Sequence, residues 1–438
     1  MSAAGTFLLS AFSFQIFHTA GVLPRVRAPG VGRRNFMVLL FALLASVVSG
    51  QEALRVSLAG QDMAEAKKRS LASQRFNVMM GPVALRLSSS LGIEASDNIR
   101  GEATHPQADL VLRPQLNTLS VWRVTDQNSL TFGLGIGYQK YLRTSQYDNF
   151  FITPDSDLSF DIYIGDVAIN LHDRFHYTQD VSADPTVSGT GSLSRFENTA
   201  GITATWDLNK AVLTLGYDHN VLVATEKRYE YLTHSAELFT ATAAFKVTPT
   251  LLAGLQTGGG LTDYDQNALP DNNHISAGPF VSAQLTEYTS LRIVAGYATY
   301  AFDAQSTTNT ARNASAFYAD VALQQRVGNL LAHSVSLGRS IQSGLTSDIL
   351  DTIYLRYAAN WNLLRLTSLN TSISYEHVTQ PGTLQEGIDR YGFGFGLGRA
   401  LTRKLTASLN YQFYYRISDL PGRDYVQNRL VLDMVYAF

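Results

Sequence analysis

The sequence predicts an all-β fold, a transmembrane antiparallel up-and-down barrel of about eighteen strands, with sixteen as the nearest alternative. Three observations predict it. Apolar residues recur at every second position along most of the chain, the connections between the apolar strips alternate between short and long, and the closing strip runs in step to Phe438.

The period comes first, because a period of two is the signature of a strand with one apolar face. Val83, Leu85, Leu87, Leu91 and Ile93 alternate with Arg86, Ser88, Ser90, Gly92 and Glu94. Leu130, Phe132, Leu134, Ile136 and Tyr138 interleave with Thr131, Gly133, Gly135, Gly137 and Gln139. Similar strips occupy 158–171, 211–217, 239–245, 291–297, 353–361, 391–397 and 405–415. Each runs roughly 8–12 residues, the length a tilted strand needs to cross a bilayer. Beyond residue 50 no stretch approaches the roughly 20 apolar residues of a spanning helix. Composition agrees: 33 Gly, 22 Tyr and 22 Phe stand against only 16% charged residues, a blend suited to β-structure with a greasy face.

The connections separate a membrane barrel from a soluble sandwich. The short ones are 165–166, 207–210, 247–250, 286–290, 328–329 and 399–404. Between them lie polar stretches at 96–108, 142–157, 178–194, 219–233, 261–273, 303–315, 379–389 and 417–427. Transmembrane barrels sort their loops this way, with tight periplasmic turns and long outer loops. Trp122, Trp206 and Trp361 all fall where a strip runs into a short turn, as an interfacial girdle requires. In the last strip Leu430, Leu432, Met434, Tyr436 and Phe438 alternate with Arg429, Val431, Asp433 and Val435.

The N-terminus carries the one long apolar run. Arg25, Arg27, Arg33 and Arg34 precede Phe36–Val48, and Val48-Ser49-Gly50 offers a small-residue exit. Residues 1–50 therefore read as an export signal with an upstream extension, with a start near Val31 as an alternative. Arg33-Arg34 resembles a twin-arginine signal only faintly, and barrels cross the inner membrane unfolded, which favours the general route. Residues 51–81 read as a short periplasmic leader, weakly helical or disordered, and 82–438 as the barrel. Removing those four arginines leaves 30 basic against 36 acidic residues, a net charge of −6 with no basic patch, so nucleic-acid binding gains no support.

Chemistry is sparse. The chain has no cysteine, which excludes disulfides and thiolate sites. His172 and His176 have chelating spacing on a helix, but on a strand they stand roughly 13 Å apart, too far to share an ion. No Gly-x-Ser-x-Gly elbow is present, and the glycine runs 258–260 and 392–398 lack the helix or Lys-Ser/Thr of a phosphate cradle. Neither catalysis, a metal nor a cofactor is expected.

About eighteen strands enclose a lumen too wide for side chains to fill. The positions assigned to it carry both signs. Arg86, Arg113, Arg174, Arg195, Arg292, Arg326, Arg356 and Arg416 are joined by Glu94, Asp161, Glu197, Glu237, Asp320, Glu376 and Asp433. Opposed arcs would set up a transverse field, whereas pairing between neighbouring strands would cancel it; the sequence leaves both open. Asp173 keeps the register of Leu171 and would face lipid unless a bulge near His172–Asp173 shifts it, and His333 and Arg339 raise the same difficulty.

With strips, girdle and terminal aromatic in place, the chain resembles bacterial outer-membrane porin-like barrels, above all the β-barrel porins linked to exopolysaccharide secretion. The texture of Phe196-Glu197-Asn198-Thr199-Ala200-Gly201 running into Trp206 carries that likeness, together with the overall pattern from Val83 to Phe438. The resemblance implies an outer-membrane channel for polar solutes, with a polysaccharide export conduit as its narrower form. It also implies contact with outer-membrane lipid and lipopolysaccharide, and reading of Tyr436 and Phe438 by the barrel-assembly machinery. A non-conducting barrel acting as an adhesin or structural anchor through its outer loops is the alternative. No family site residue carries over.

Overall fold

The computed structural model describes residues 76–180, 187–189, 192–303, 313–342, 349–364, 366–380 and 386–438. The stretch read as an export signal (1–50) and most of the one read as a leader (51–81) lie outside the described residues. The strands are β1 (Val78–Met80), β2 (Val83–Ser96), β3 (Asp109–Arg123), β4 (Ser129–Tyr141), β5 (Asn149–Ile152), β6 (Asp157–Ile164), β7 (Val167–Thr178), β8 (Arg195–Asp207), β9 (Ala211–Ala224) and β10 (His234–Thr248). They continue as β11 (Leu251–Tyr264), β12 (Asn272–Thr286), β13 (Thr289–Phe302), β14 (Ala314–Val327), β15 (Leu331–Gln342), β16 (Leu350–Leu364), β17 (Thr367–Thr379), β18 (Gly387–Ala400), β19 (Leu405–Ser418) and β20 (Tyr425–Ala437).

Apart from β5 and β6, every strand from β2 on pairs antiparallel with its chain neighbours, and β20 pairs back onto β2 from Arg429↔Ser96 to Ala437↔Ser88, which closes the sheet. Because β5 and β6 are two halves of one stave between β4 and β7, the barrel has eighteen staves. The break at Thr153–Ser156 leaves the ladder intact: Thr153 donates to the Gly135 carbonyl (2.9 Å), and the Ser156 hydroxyl accepts the Gly135 N–H (3.1 Å).

Exposure follows parity. On β10 Phe239 and Phe245 are exposed, while Ala236 and Ala244 are buried; on β13 Tyr297 is exposed, while Val294 and Ala298 are buried. Side chains alternate across a strand, so the exposed apolar positions form a lipid-facing belt and the other parity lines the lumen. A closed sheet with such a belt is one of the two builds that satisfy the backbone inside hydrocarbon, and the protein is an outer-membrane barrel.

Two expectations change. The strands reach into stretches read as loops, at 219–224, 261–264, 387–389 and 425–427, and β5 stands inside 142–157. Above the lipid the ladder continues where apolar and polar residues no longer alternate, as in Val221-Leu222-Val223-Ala224 with Leu222 buried. Nor does a bulge rescue Asp173: β7 pairs in unbroken register with both β6 and β8. Asp173 keeps its outward parity midway along β7, where it accepts from the Asn198 side-chain amide. His333 and Arg339 also face outward on an unshifted β15, near its two ends. His333 meets Gln325 (3.0 Å) close to the Trp361 level, and Arg339 pairs with Asp351 (2.6 Å) at the rim. Position toward the strand ends serves His333 and Arg339, and a side-chain amide partner serves Asp173; no register shift is involved. The register shifts that do occur, at Lys246/Thr248, Gln284/Thr286 and Asn362/Leu364, all adjoin short turns.

The belt gives a direct expectation. Leu255, exposed midway along β11, should lose about 2–4 kcal/mol of stability on Leu255→Arg, as a cation on the lipid face near the midplane does. Thr242→Arg, on the lumen side of the neighbouring strand, should cost under about 1 kcal/mol. Denaturant unfolding in lipid vesicles checks both, and equal losses would contradict the assigned parity.

Candidate functional site

The lumen wall from β16 around to β3 is built on one repeated unit. A glutamate lies buried between two arginines, one buried and one facing water. Glu94 meets Arg429 (2.9 Å) and Arg113 (2.9 Å). Glu376 meets Arg390 and Arg356 (2.6 Å). Glu386 meets Arg416 (2.8 Å) and Arg423 (2.8 Å). The side chains of Arg429, Arg390 and Arg416 are 10%, 11% and 0% exposed, against 24%, 35% and 26% for Arg113, Arg356 and Arg423. The inner arginine neutralises the glutamate where dehydration is greatest, and the outer one is left as net positive charge at the water. Within these three units six arginines meet three glutamates, and Asp180 lies 3.9 Å from Arg429; Asp433 of β20 and Asp109 of β3 share the inward parity of the same wall.

Local sequence makes room for these reaches. On the opposite wall, His172 of β7 reaches Asp218 of β9 (2.7 Å) across β8, because Gly201 lies between them. A Cβ on Gly201 would stand 2.2 Å from Asp218 Oδ1 and 2.9 Å from His172 Nε2. Nδ1 of His172 faces Asn170 Oδ1 (2.9 Å), and Asn170 in turn donates to Asp161 (2.8 Å). His176 turns to a different carboxylate, Glu197 (3.5 Å), which also holds Arg195 (2.6 Å). The two histidines therefore serve separate pairs.

The remaining candidates scatter. Arg292 faces inward, donating to Gln256 (3.0 Å) with its guanidinium 4.7 Å from the Phe280 ring centre. Asp320 accepts from the Tyr354 hydroxyl (2.7 Å), and Asp433 from Asn410 (3.3 Å). Arg86 and Arg326 lie on the inward parity toward the short-turn end, and Arg174 is exposed into the lumen. Glu237 is a correction. It shares the parity of the exposed Phe239 and Phe245, so it points outward, where it accepts from Tyr217 (2.6 Å) and contacts His219 (3.0 Å). Opposed arcs of charge do not form on the wall from β16 to β3; cross-strand pairing dominates, with arginine in excess. The three tryptophans project from the outer face beside short turns, and Tyr436 and Phe438 lie edge to face at 5.6 Å on the outer side of β20.

Sequence reasoning missed Arg390, Arg429, Arg423 and Glu386. Arg390 and Arg429 were findable, since each keeps inward parity beside outward aromatic or apolar residues. Arg423 and Glu386 stand in connections, where no periodicity points to them.

The connection after β7 shapes the mouth. Gln179 donates to Gln139 of β4 (2.8 Å) and to the Tyr147 carbonyl (2.8 Å), so the segment follows the inner wall. Gly189 then donates to the Gly101 carbonyl (3.0 Å), and Arg423 to the Ser188 hydroxyl (3.2 Å). A cleft remains beneath it, lined by Glu94, Arg113, Tyr141, Val187, Gln427 and Arg429 among others. The return of the segment is anchored by Glu226, which accepts from the Ser192 hydroxyl (2.9 Å) and the Ser194 N–H (3.1 Å). Partial burial pushes the Glu226 carboxyl up, but the Ser194 N–H, the Ser192 hydroxyl and Arg228 outweigh it and hold the group below the ordinary carboxylate range.

No protein-family model and no curated protein matches the sequence. Solved structures align over most of the chain. Pseudomonas aeruginosa OccK2 (OpdF) in complex with glucuronate covers 83% of this chain and 100% of its own, at 11% identity and a TM-score of 0.48. Pseudomonas aeruginosa OpdL covers 82% and 100%, at 12% identity and 0.45. Acinetobacter baumannii OccAB3 covers 81% and 99%, at 8% identity and 0.46. At that identity and fit the likeness gives no residue a role and the lumen no solute.

Two outcomes follow. Glu376→Gln should cost about 3–5 kcal/mol, because it strands the buried Arg390, and adding Arg390→Met should restore most of the loss; a double-mutant cycle by denaturant unfolding reads this. Because the Glu226 carboxyl is depressed in the folded state, its hold on 192–194 is full above the ordinary carboxylate range and is lost as pH falls through the lowered value. Limited proteolysis should cut this segment only in acid, whereas Glu226→Gln should permit cutting at neutral pH.

Proposed function

We propose that the barrel is a passive outer-membrane channel that favours small anionic solutes. The observation that carries this reading is the repeated unit, which leaves Arg113, Arg356 and Arg423 as water-facing positive charge along one wall. In a lumen with low-dielectric walls, fixed charge of one sign concentrates counter-ions and raises their passage over that of cations. The segment 187–189, drawn against Gly101 and Arg423, supports small solutes over a polymer, which needs a clear bore. Polysaccharide export, the narrower reading of the sequence resemblance, therefore takes second place. The lumen pairs account for their titratable groups as wall structure, and among the described residues no group of three His, Asp or Glu could hold a metal.

Purified protein in planar bilayers should give stepwise conductance, with a reversal potential in a salt gradient that marks anion preference. Arg113→Glu together with Arg356→Glu should reverse or abolish that preference while conductance persists. Absence of current would favour a non-conducting anchor, and passage of an anionic polysaccharide without block would favour export.

A further inference from the structure

β2 meets β3 along its whole length, but its other edge is covered by β20 only from Ser88 upward. Below that, β1 covers Val83, Ala84 and Leu85. Arg86 and Leu87 are left at the seam with no strand opposite them. Left bare, this gap would be an open edge at the closing seam, and an open edge is a template for another strand.

Asn77 fills it. Its backbone N–H donates to the Leu85 carbonyl (3.0 Å), continuing β1. Its side-chain amide then behaves as the next peptide group would. Oδ1 accepts the Leu87 N–H (2.9 Å), and Nδ2 donates to the Leu87 carbonyl (2.7 Å). The same Nδ2 donates to the Phe438 main-chain oxygen (2.9 Å), while the Phe438 N–H reaches the Leu87 carbonyl (3.2 Å). One side chain thereby joins the segment before the barrel to the end of β20.

We infer that Asn77 is the splice that locks the closing seam, and that the lower edge of β2 is a strand-docking edge occupied by the chain's own residues 77–80. An amide is the one side-chain group of this length that offers an acceptor and two donors in a plane, as a peptide unit must to satisfy both Leu87 groups. Aspartate at this place keeps the acceptor for the Leu87 N–H but sets a carboxylate against the two main-chain oxygens. Alanine leaves all three bonds unmade. The inference is independent of what the channel carries.

Hydrogen–deuterium exchange of the full mature protein in lipid tests it, with Asn77→Ala and Asn77→Asp beside the natural chain. In both variants peptides spanning 83–90 and 432–438 should exchange about tenfold faster, as loss of local hydrogen bonds allows. Peptides from β10–β14, across the barrel, should be unchanged, and so should single-channel conductance. Unaltered exchange at both seam peptides would overturn the inference. So would equal acceleration in β10–β14, since Asn77 would then act on the whole fold and not on the seam.

Discussion

Hydrocarbon offers the peptide backbone no hydrogen-bond partner, and the rest of this structure follows from that constraint. Each N–H and C=O inside the belt must find its match in the sheet, so the sheet must close. Closure sends one parity of every strand to lipid and the other to the lumen. Where the ladder falters, polar side chains take the place of backbone: Ser156 accepts for the broken stave between β4 and β7, and Asn77 stands in at the seam. Both repairs keep donors and acceptors matched at points where regular pairing stops.

The same low dielectric governs the lumen charges. A carboxylate buried at the lumen wall is costly unless cations and donors surround it. Glu94, Glu376 and Glu386 are each enclosed by two guanidinium groups, whose planar forks can serve a carboxylate and still present N–H groups outward. Rigid, hydrogen-bonded arginines make a better electrostatic wall than flexible ones, because their charge stays where the solute passes. Within the three units arginine outnumbers glutamate two to one, and opposite charges pair across strands instead of segregating.

The sequence revealed strands and closure because the lipid-facing parity is written in apolar residues. Leu87, Phe239, Tyr297 and Leu397 are exposed for the reason that made them legible. Strand ends were less legible. Above the belt, as at 219–224 or 387–389, the ladder persists where apolar residues also face inward, so hydropathy no longer alternates. Glu237 was misread for a related reason: at the rim a carboxylate can face outward if Tyr217 and His219 satisfy it, so polarity there no longer implies the lumen. Pairing was beyond reach, because it depends on which strands become neighbours at closure. Glu94 and Arg429 lie at opposite ends of the chain, and only the β2–β20 seam brings them together.

Alternating access to water and lipid around a closed sheet is the central claim, and a chain with no native cysteine lets it be measured cleanly. Single cysteines placed along β10 in vesicle-embedded protein, by Thr240→Cys, Ala241→Cys, Thr242→Cys and Ala243→Cys, report the environment of each position through reaction with a membrane-impermeant charged thiol reagent. The account predicts labelling at 240 and 242, faster with an anionic than a cationic reagent, and protection at 241 and 243. Uniform labelling, or the opposite phase, would contradict it.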